Sequence, residues 1–373
     1  MVQTISEITS HLETWAPPSL QESYDNSGLI VGSGDKEIEK ALVSLDVTEE
    51  VLEEAKKLGC GLIISHHPIV FSGLKRLNGK NYVERIVMEA IRHNIALYAI
   101  HTNLDNVAKG VNNKIAERLA LKDCKILQPI KKRLRKLITF VPDTADGNGQ
   151  PFHEKIHEAL WQAGAGHIGQ YDNCSFNSPG TGTFRALEGA EPFIGEEGKL
   201  AYQNEVRIEV IYPDHLEHHI IKSLKKAHPY EEVAYDLVTL ENENAETGAG
   251  MIGKLEEPLT DMAFLFFVKE RMEAKAIRHS PFLNKKIHKV AVCGGSGSFL
   301  LGEAIKQGAD ALVTADFKYH QFFDADGKIL IADIGHFESE QFTIDLIYDK
   351  IIEKFPTFAV LKTAVNTNPV NYL

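Results

Sequence analysis

The chain has 373 residues, longer than the roughly 250–300 residues at which a single core stops growing, so two domains or a core with an insertion are expected. With 43% hydrophobic and 25% charged residues and no biased tract, disordered and fibrous classes are excluded. The formal charge of −12 disfavours a chain whose main task is to wrap nucleic acid, because phosphate binding needs a surplus of lysine and arginine.

The first stretch, MVQTISEITSHLETW, has helical spacing and neither a basic nor an apolar leader region, and no run approaches the roughly 18 apolar residues of a membrane span. A cytoplasmic chain without a membrane partner is the expectation. From ALVSLDV (41–47) onward, apolar runs alternate with amphipathic ones: TEEVLEEAKKLG, GLIISHHP, NYVERIVMEAIRHN, IALYAIHTNLD and GVNNKIAERLAL. The last quarter repeats this alternation in KVAVCGG, FLLGEAIKQG, ADALVTAD, KILIADIGH and ESEQFTIDLIYDKIIEKF. Such alternation predicts an α/β fold with largely parallel sheets flanked by helices. Between these halves the texture changes to strand, helix, strands, helix and strand, the order of a ferredoxin-like α+β unit. Residues 133–246 are therefore expected to form an inserted domain, with 1–132 and 247–373 the two parts of the core.

His66 and His67 directly follow the apolar run GLIIS, and Pro68 stops the strand. In open α/β sheets, ligands sit beyond the carboxyl ends of strands. His101 and Asp105 follow IALYAI in the same way, and His336 and Glu340 follow KILIADIG at a spacing that puts both on one face of a helix. Adjacent histidines at a strand end point in different directions, so two neighbouring ions suit them better than one. Asp105 and Glu340 would offset the charge, and ion pairs about 3.5 to 4 Å apart are a recurrent hydrolytic device. Nitrogen and oxygen ligands suit zinc, manganese, iron or nickel. Cysteine is not a candidate, since Cys60, Cys124, Cys174 and Cys293 form no C-x-x-C pair. His93, His153, His157, His215, His218 and His219 lack the strand-end setting and read as solvated helix residues.

Other motifs have a plain reading beside a functional one. GGSGS after KVAVC lacks the third glycine of a dinucleotide fingerprint, and reads as a tight strand-to-helix turn with room for an anion at its amides. Asp316, Lys318 and His320 follow ADALVTA. They either rim the metal cavity, with Lys318 holding a phosphate and His320 shuttling a proton, or start a helix capped by Asp316. Asp25 and Asn26 are a turn pair by composition. The basic run Lys131, Lys132, Arg133, Arg135 and Lys136 is a local nucleic-acid stripe or a solvated linker.

Taken together, YDNSGLIVG (24–32), SHHP (65–68), HTNLDN (101–106), CGGSGS (293–298), TADFKYH (314–320) and GHFESE (335–340) resemble the signature blocks of the NIF-three-like proteins, the GTP cyclohydrolase I type 2 homologues. GTGTFR (180–185) and HPYEEVAYDL (228–237) resemble the longer bacterial form with a PII-like or CutA-like insertion, where the resemblance assigns His228, Glu231 and Glu232 of the second motif to packing and trimer contact. The resemblance implies His66, His67, Asp105, His336 and Glu340 as ligands of a dinuclear centre. It leaves His101 as a loose ligand or a group orienting Asp105, with Asp25 and Asp316 in supporting places. It also implies a toroidal homohexamer built from trimers, and an activity that opens the guanine ring of a nucleotide at C8. Glu340, with His320 and Lys318 from their strand-end setting, are the residues expected in catalytic roles. Tyr24 departs from the family's tryptophan but keeps an aromatic ring, and Met251 replaces a common arginine, which weakens any phosphate grip there. A non-catalytic metal store, regulator or scaffold is the alternative reading.

Overall fold

The apolar runs of the first third become the middle of a five-stranded sheet, seen in a computed structural model that describes residues 2–373. Its order is Ala359–Lys362, Lys40–Ser44, Leu62–Ser65, Ala96–Ala99 and Gly28–Val31, with the first four parallel and the last antiparallel. Alternation along the central strand divides the core. Leu62 and Ile64 pack with Ile5, Ile8 and Leu12 on one face, while Ile63 packs with Val51, Leu52 and Ile86 on the other. Those partners lie on helices whose starts are written in the sequence: Thr4 and Glu7 form a capping box for Ile5–Trp15, Thr48 caps Glu49–Leu58 and Asn81 caps Tyr82–Arg92.

The second core sheet runs Arg278–His279, Leu330–Asp333, Ala311–Ala315, Lys286–Ser296, Glu243–Thr260 and Lys122–Lys131. Here the expectation of a largely parallel sheet needs correction. Lys286–Ser296, Ala311–Ala315 and Leu330–Asp333 are parallel to one another, but Arg278–His279 and Glu243–Thr260 pair antiparallel to their neighbours. A strand covered on both faces shows the same apolar run in either direction, so its hydrophobic pattern does not encode its sense. One cluster of buried side chains, from Ile64 and Tyr98 to Val292, Val313 and Ala332, joins the inner faces of both sheets.

The contacts divide the chain into Met1–Pro129 with Glu246–Leu373, and Ile130–Ala245. Within the second unit, strands Leu134–Pro142, Phe176–Arg185, Leu200–Pro213 and Tyr235–Leu240 and helices Phe152–Gln162 and Glu217–Ala227 follow the order β-α-β-β-α-β. The sheet order, last-first-third-second, is antiparallel throughout, a ferredoxin-like arrangement. Its core gathers Leu137, Val141, Ile156, Ile208 and Leu224. His157, expected to be solvated, is buried. It stacks on Trp161 with ring centroids 5.0 Å apart and bonds Asn177 at 2.9 Å. Each of the five cations of the basic run faces a carboxylate: Glu243, Glu241, Asp214, Glu217 and Glu209 in turn. Among the described residues no helix is long and apolar enough to cross a membrane.

Candidate metal centre

Strand ends from the two core sheets meet at one point. Beyond Leu62–Ser65, the backbone of His66 and His67 stays tied to the neighbouring strand through Ser44 and Leu45 carbonyls, which holds both imidazoles at the sheet's rim. The His66 side chain is fully buried; its Nδ1 donates to the Ile100 carbonyl at 2.9 Å, which turns Nε2 toward Asp105 Oδ1 at 3.7 Å and Glu340 Oε1 at 3.8 Å. His67 Nδ1 donates to Asp46 Oδ1 at 2.8 Å and its Nε2 lies 3.0 Å from Glu340 Oε2. His336 and Glu340 share the short helix His336–Glu340. There His336 Nδ1 donates to Asp316 Oδ2 at 2.7 Å, leaving Nε2 3.1 Å from Glu340 Oε2 and 3.3 Å from His67 Nε2. His101 donates from Nδ1 to Asp25 Oδ1 at 2.8 Å.

All four imidazoles are thus held by an acceptor at Nδ1 and present Nε2 inward. That is how metal-ligating histidines are oriented, since the outer bond fixes tautomer and ring direction. Three overlapping triads place their ligand atoms within 4.8 Å of one another: His66–Asp105–Glu340, His67–His336–Glu340 and His66–His67–His101. Glu340 belongs to two of them, one oxygen facing His66 and the other facing His67 and His336. His66 Nε2 and Asp105 Oδ1 are buried and have no hydrogen-bond partner. Burying two such atoms unpaired is costly, and a divalent ion would satisfy both. The donor set therefore fits a metal.

Charge in the cluster points the same way. Burial pulls the His67 imidazole down, yet hydrogen bonds to Asp46 and Glu340 outweigh it and raise its pKa to about 10. For His336 burial is likewise outweighed by the Glu340 charge and the Asp316 bond, and the pKa rises to about 11. Burial and the neighbouring Glu340 push Asp105 up to about 7; Glu340 itself is held well below the usual range, where its imidazole neighbours outweigh burial. Protons sit where cations are wanted. Because metal ligation needs neutral imidazole, loading the centre with zinc near pH 8 is expected to release about two protons per chain, read with an indicator dye in weak buffer. The sign for the metal-free protein follows from the same shifts. Stability from protonated His67 and His336 is complete below about pH 6.5 and is lost as pH rises toward 10 and 11. Raised Asp105 adds a loss up to about 7. Its melting temperature should therefore fall between neutral and alkaline pH, while the loaded protein changes less.

Glycines make room for the cluster. A Cβ at Gly295, where φ is +56°, would stand 2.5 Å from Glu340 Oε1 and 3.1 Å from His336 Cε1. The GGSGS turn therefore serves close approach, and two of its amides are already engaged: Gly294 N donates to Asn112 and Gly295 N to Ser339. Asp316 does not cap a helix. It sits in the left-handed region at φ +58° and holds His336 and Ser296, a strained residue at a working site. Asp25 is enclosed, accepting from His101, the Thr102 amide and Asn26, so His101 is oriented by Asp25.

Lys318 and His320 stand apart. Both are exposed, the His320 ring packs beside Tyr319 and Phe323, and neither lines the two cavities over the cluster. One cavity, of about 420 Å³, is lined by Asp105, Glu340, His101 and His336 and rimmed by Tyr24, Phe71 and Phe299. The other, of about 1030 Å³, is reached by His67, His101 and His336 and bounded by Arg278, Asp333 and the tail residues Asn368 and Tyr372. Met251 is buried in the core and takes part in neither. Sequence reasoning missed Asp46, although it follows the strand Lys40–Ser44 as the candidate ligands follow theirs. Asp46→Asn is expected to weaken metal affinity roughly 10- to 100-fold with little change in fold, as measured by chelator competition.

The family model of Duf34/NIF3 (NGG1p interacting factor 3) matches residues 3–369. The chain is 40% identical to a Halalkalibacterium halodurans protein named GTP cyclohydrolase 1 type 2 homolog, with 100% of this chain and 98% of that protein covered. It is 39% identical to a Bacillus subtilis protein of the same name, over 89% and 87%. A crystal structure of a Bacillus cereus protein related to NIF3 superposes with a TM-score of 0.86 at 37% identity, covering 100% of this chain and 99% of that one. The chain belongs to the Duf34/NIF3 family.

Proposed function

We propose that the chain is a metal-dependent hydrolase with two divalent ions, zinc, manganese, iron or nickel, held by His66, His67, Asp105, His336 and Glu340, and that it acts on a nucleotide-like substrate. The observation that supports this most is Glu340, a buried carboxylate with one oxygen turned to the His66–Asp105 side and the other to the His67–His336 side. Bound divalent ions would supply Lewis-acid charge and make a water nucleophile available at neutral pH. The chain's own part is to orient and to move protons. Asp46, Asp316 and the Ile100 carbonyl fix three imidazoles; His101, fixed at Nδ1 by Asp25, keeps Nε2 free to take or give a proton at the cavity wall. With the names its relatives carry, the reaction we favour is opening of the guanine imidazole ring at C8. The same reading takes Ile130–Ala245 as a PII-like or CutA-like module and the assembly as a homohexamer built from trimers, to be checked by sedimentation.

The test is turnover of a panel of guanine and adenine nucleotides and simple phosphoesters by protein of measured metal content. Ring-opened product from a guanine compound, lost on chelation and restored by metal, is expected. A fully loaded protein that turns over no panel member overturns the hydrolase reading in favour of a metal store, regulator or scaffold.

A further inference from the structure

The 420 Å³ cavity differs from an ordinary phosphate site in its lining. No lysine or arginine lines it, and the neighbouring 1030 Å³ cavity has only Arg278, whose guanidinium is already engaged by Asp333 and the Phe317 carbonyl. Metal would not make up the deficit. Two dications bring four positive charges, against which stand five carboxylates in or directly behind the cluster: Asp105, Glu340, Asp25, Asp46 and Asp316. The loaded centre is close to neutral, so it offers a triphosphate little long-range attraction. In place of cations the rim carries rings. Tyr24, Phe71 and Phe299 are 65%, 50% and 63% exposed while lining the same cavity, and Phe71 stands edge-on to His101 at 5.5 Å between centroids. Large exposed aromatic side chains lining a pocket beside polar groups suit a flat π-system, whose faces stack on rings without regard to charge.

We infer that this cavity binds an uncharged planar heterocycle, a purine base or nucleoside, stacked among Tyr24, Phe71 and Phe299 next to the cluster, and that phosphates contribute nothing to its affinity. The inference rests on the hydrolase reading only for its choice of the purine ring. It is tested by equilibrium dialysis of the metal-loaded full-length protein against guanosine and GTP at low and high salt, with the wild type, Tyr24→Ala and Phe299→Ala.

Guanosine is expected to bind as well as GTP, with little salt dependence, and each variant should weaken it on the order of tenfold, the size of a base-on-aromatic contact. A preference for GTP that fades with salt overturns the inference, as does binding of neither. Variants that change the sedimentation coefficient but leave guanosine binding intact also overturn it, since the rings would then cover another copy of the chain. The two readings fail separately: ring-dependent binding without turnover sinks the hydrolase alone, whereas turnover with unaltered binding in both variants sinks the stacking site alone.

Discussion

Glu340→Gln is expected to empty the metal centre and abolish any hydrolysis that depends on it. Glutamine keeps the shape, but it replaces the only carboxylate that faces both His66 and the His67–His336 pair with a neutral amide, whose nitrogen cannot coordinate. The loss of affinity should exceed the roughly 10- to 100-fold typical of outer supporting groups, so metal content after gel filtration should fall far below that of the wild type. A second consequence separates this from simple unfolding. In the metal-free protein Glu340 holds protons on His67 and His336, and removing a buried partner costs up to about 3–5 kcal/mol unless the imidazoles shed their charge. They can, so the variant should remain folded while the alkaline fall in melting temperature shrinks to the part that Asp46 and Asp316 sustain. Full metal content and full activity in Glu340→Gln would contradict the assignment.

Gly295→Ala should damage the same centre from the backbone side. The new methyl would meet Glu340 Oε1 at 2.5 Å and His336 Nε2 at 3.3 Å, and the left-handed φ of +56° adds roughly 1 kcal/mol of strain for a residue with a Cβ. Since both oxygens of the buried Glu340 face imidazoles, the carboxylate cannot move away from the methyl without leaving them. Metal affinity is expected to drop by at least tenfold, measured by competition with a chromogenic chelator. Gly302→Ala is the comparison, because a Cβ there meets nothing within 4 Å; it should bind metal like the wild type. Equal affinity in the two variants would show that position 295 only forms a turn.

Much of the centre could be read from residue order because the physics behind it is local. An apolar run that ends in His-His-Pro, or in Asp-Ile-Gly-His with a glutamate four residues on, reports both a buried strand and the polar groups at its carboxyl end. The caps at Thr4, Thr48 and Asn81 are equally local, since a side-chain oxygen three residues from an amide needs no tertiary partner. Asp46 was overlooked for want of a histidine beside it. The distance of Lys318 and His320 along the chain from a strand end groups them with the site, but the turn at Asp316 carries them into solvent.

The amino-acid sequence by itself determined the α/β and ferredoxin-like textures, the strand ends and the residue types available to a metal, since periodicity and capping depend on neighbours a few residues apart. Only the tertiary structure decided which strand ends meet, which edge strands run antiparallel, and that Asp46, Asp25 and Asp316 stand behind His67, His101 and His336. Those relations join residues as distant along the chain as His67 and Glu340, 273 positions apart, and they arise from packing two sheets around one core, a long-range outcome that no window of sequence contains.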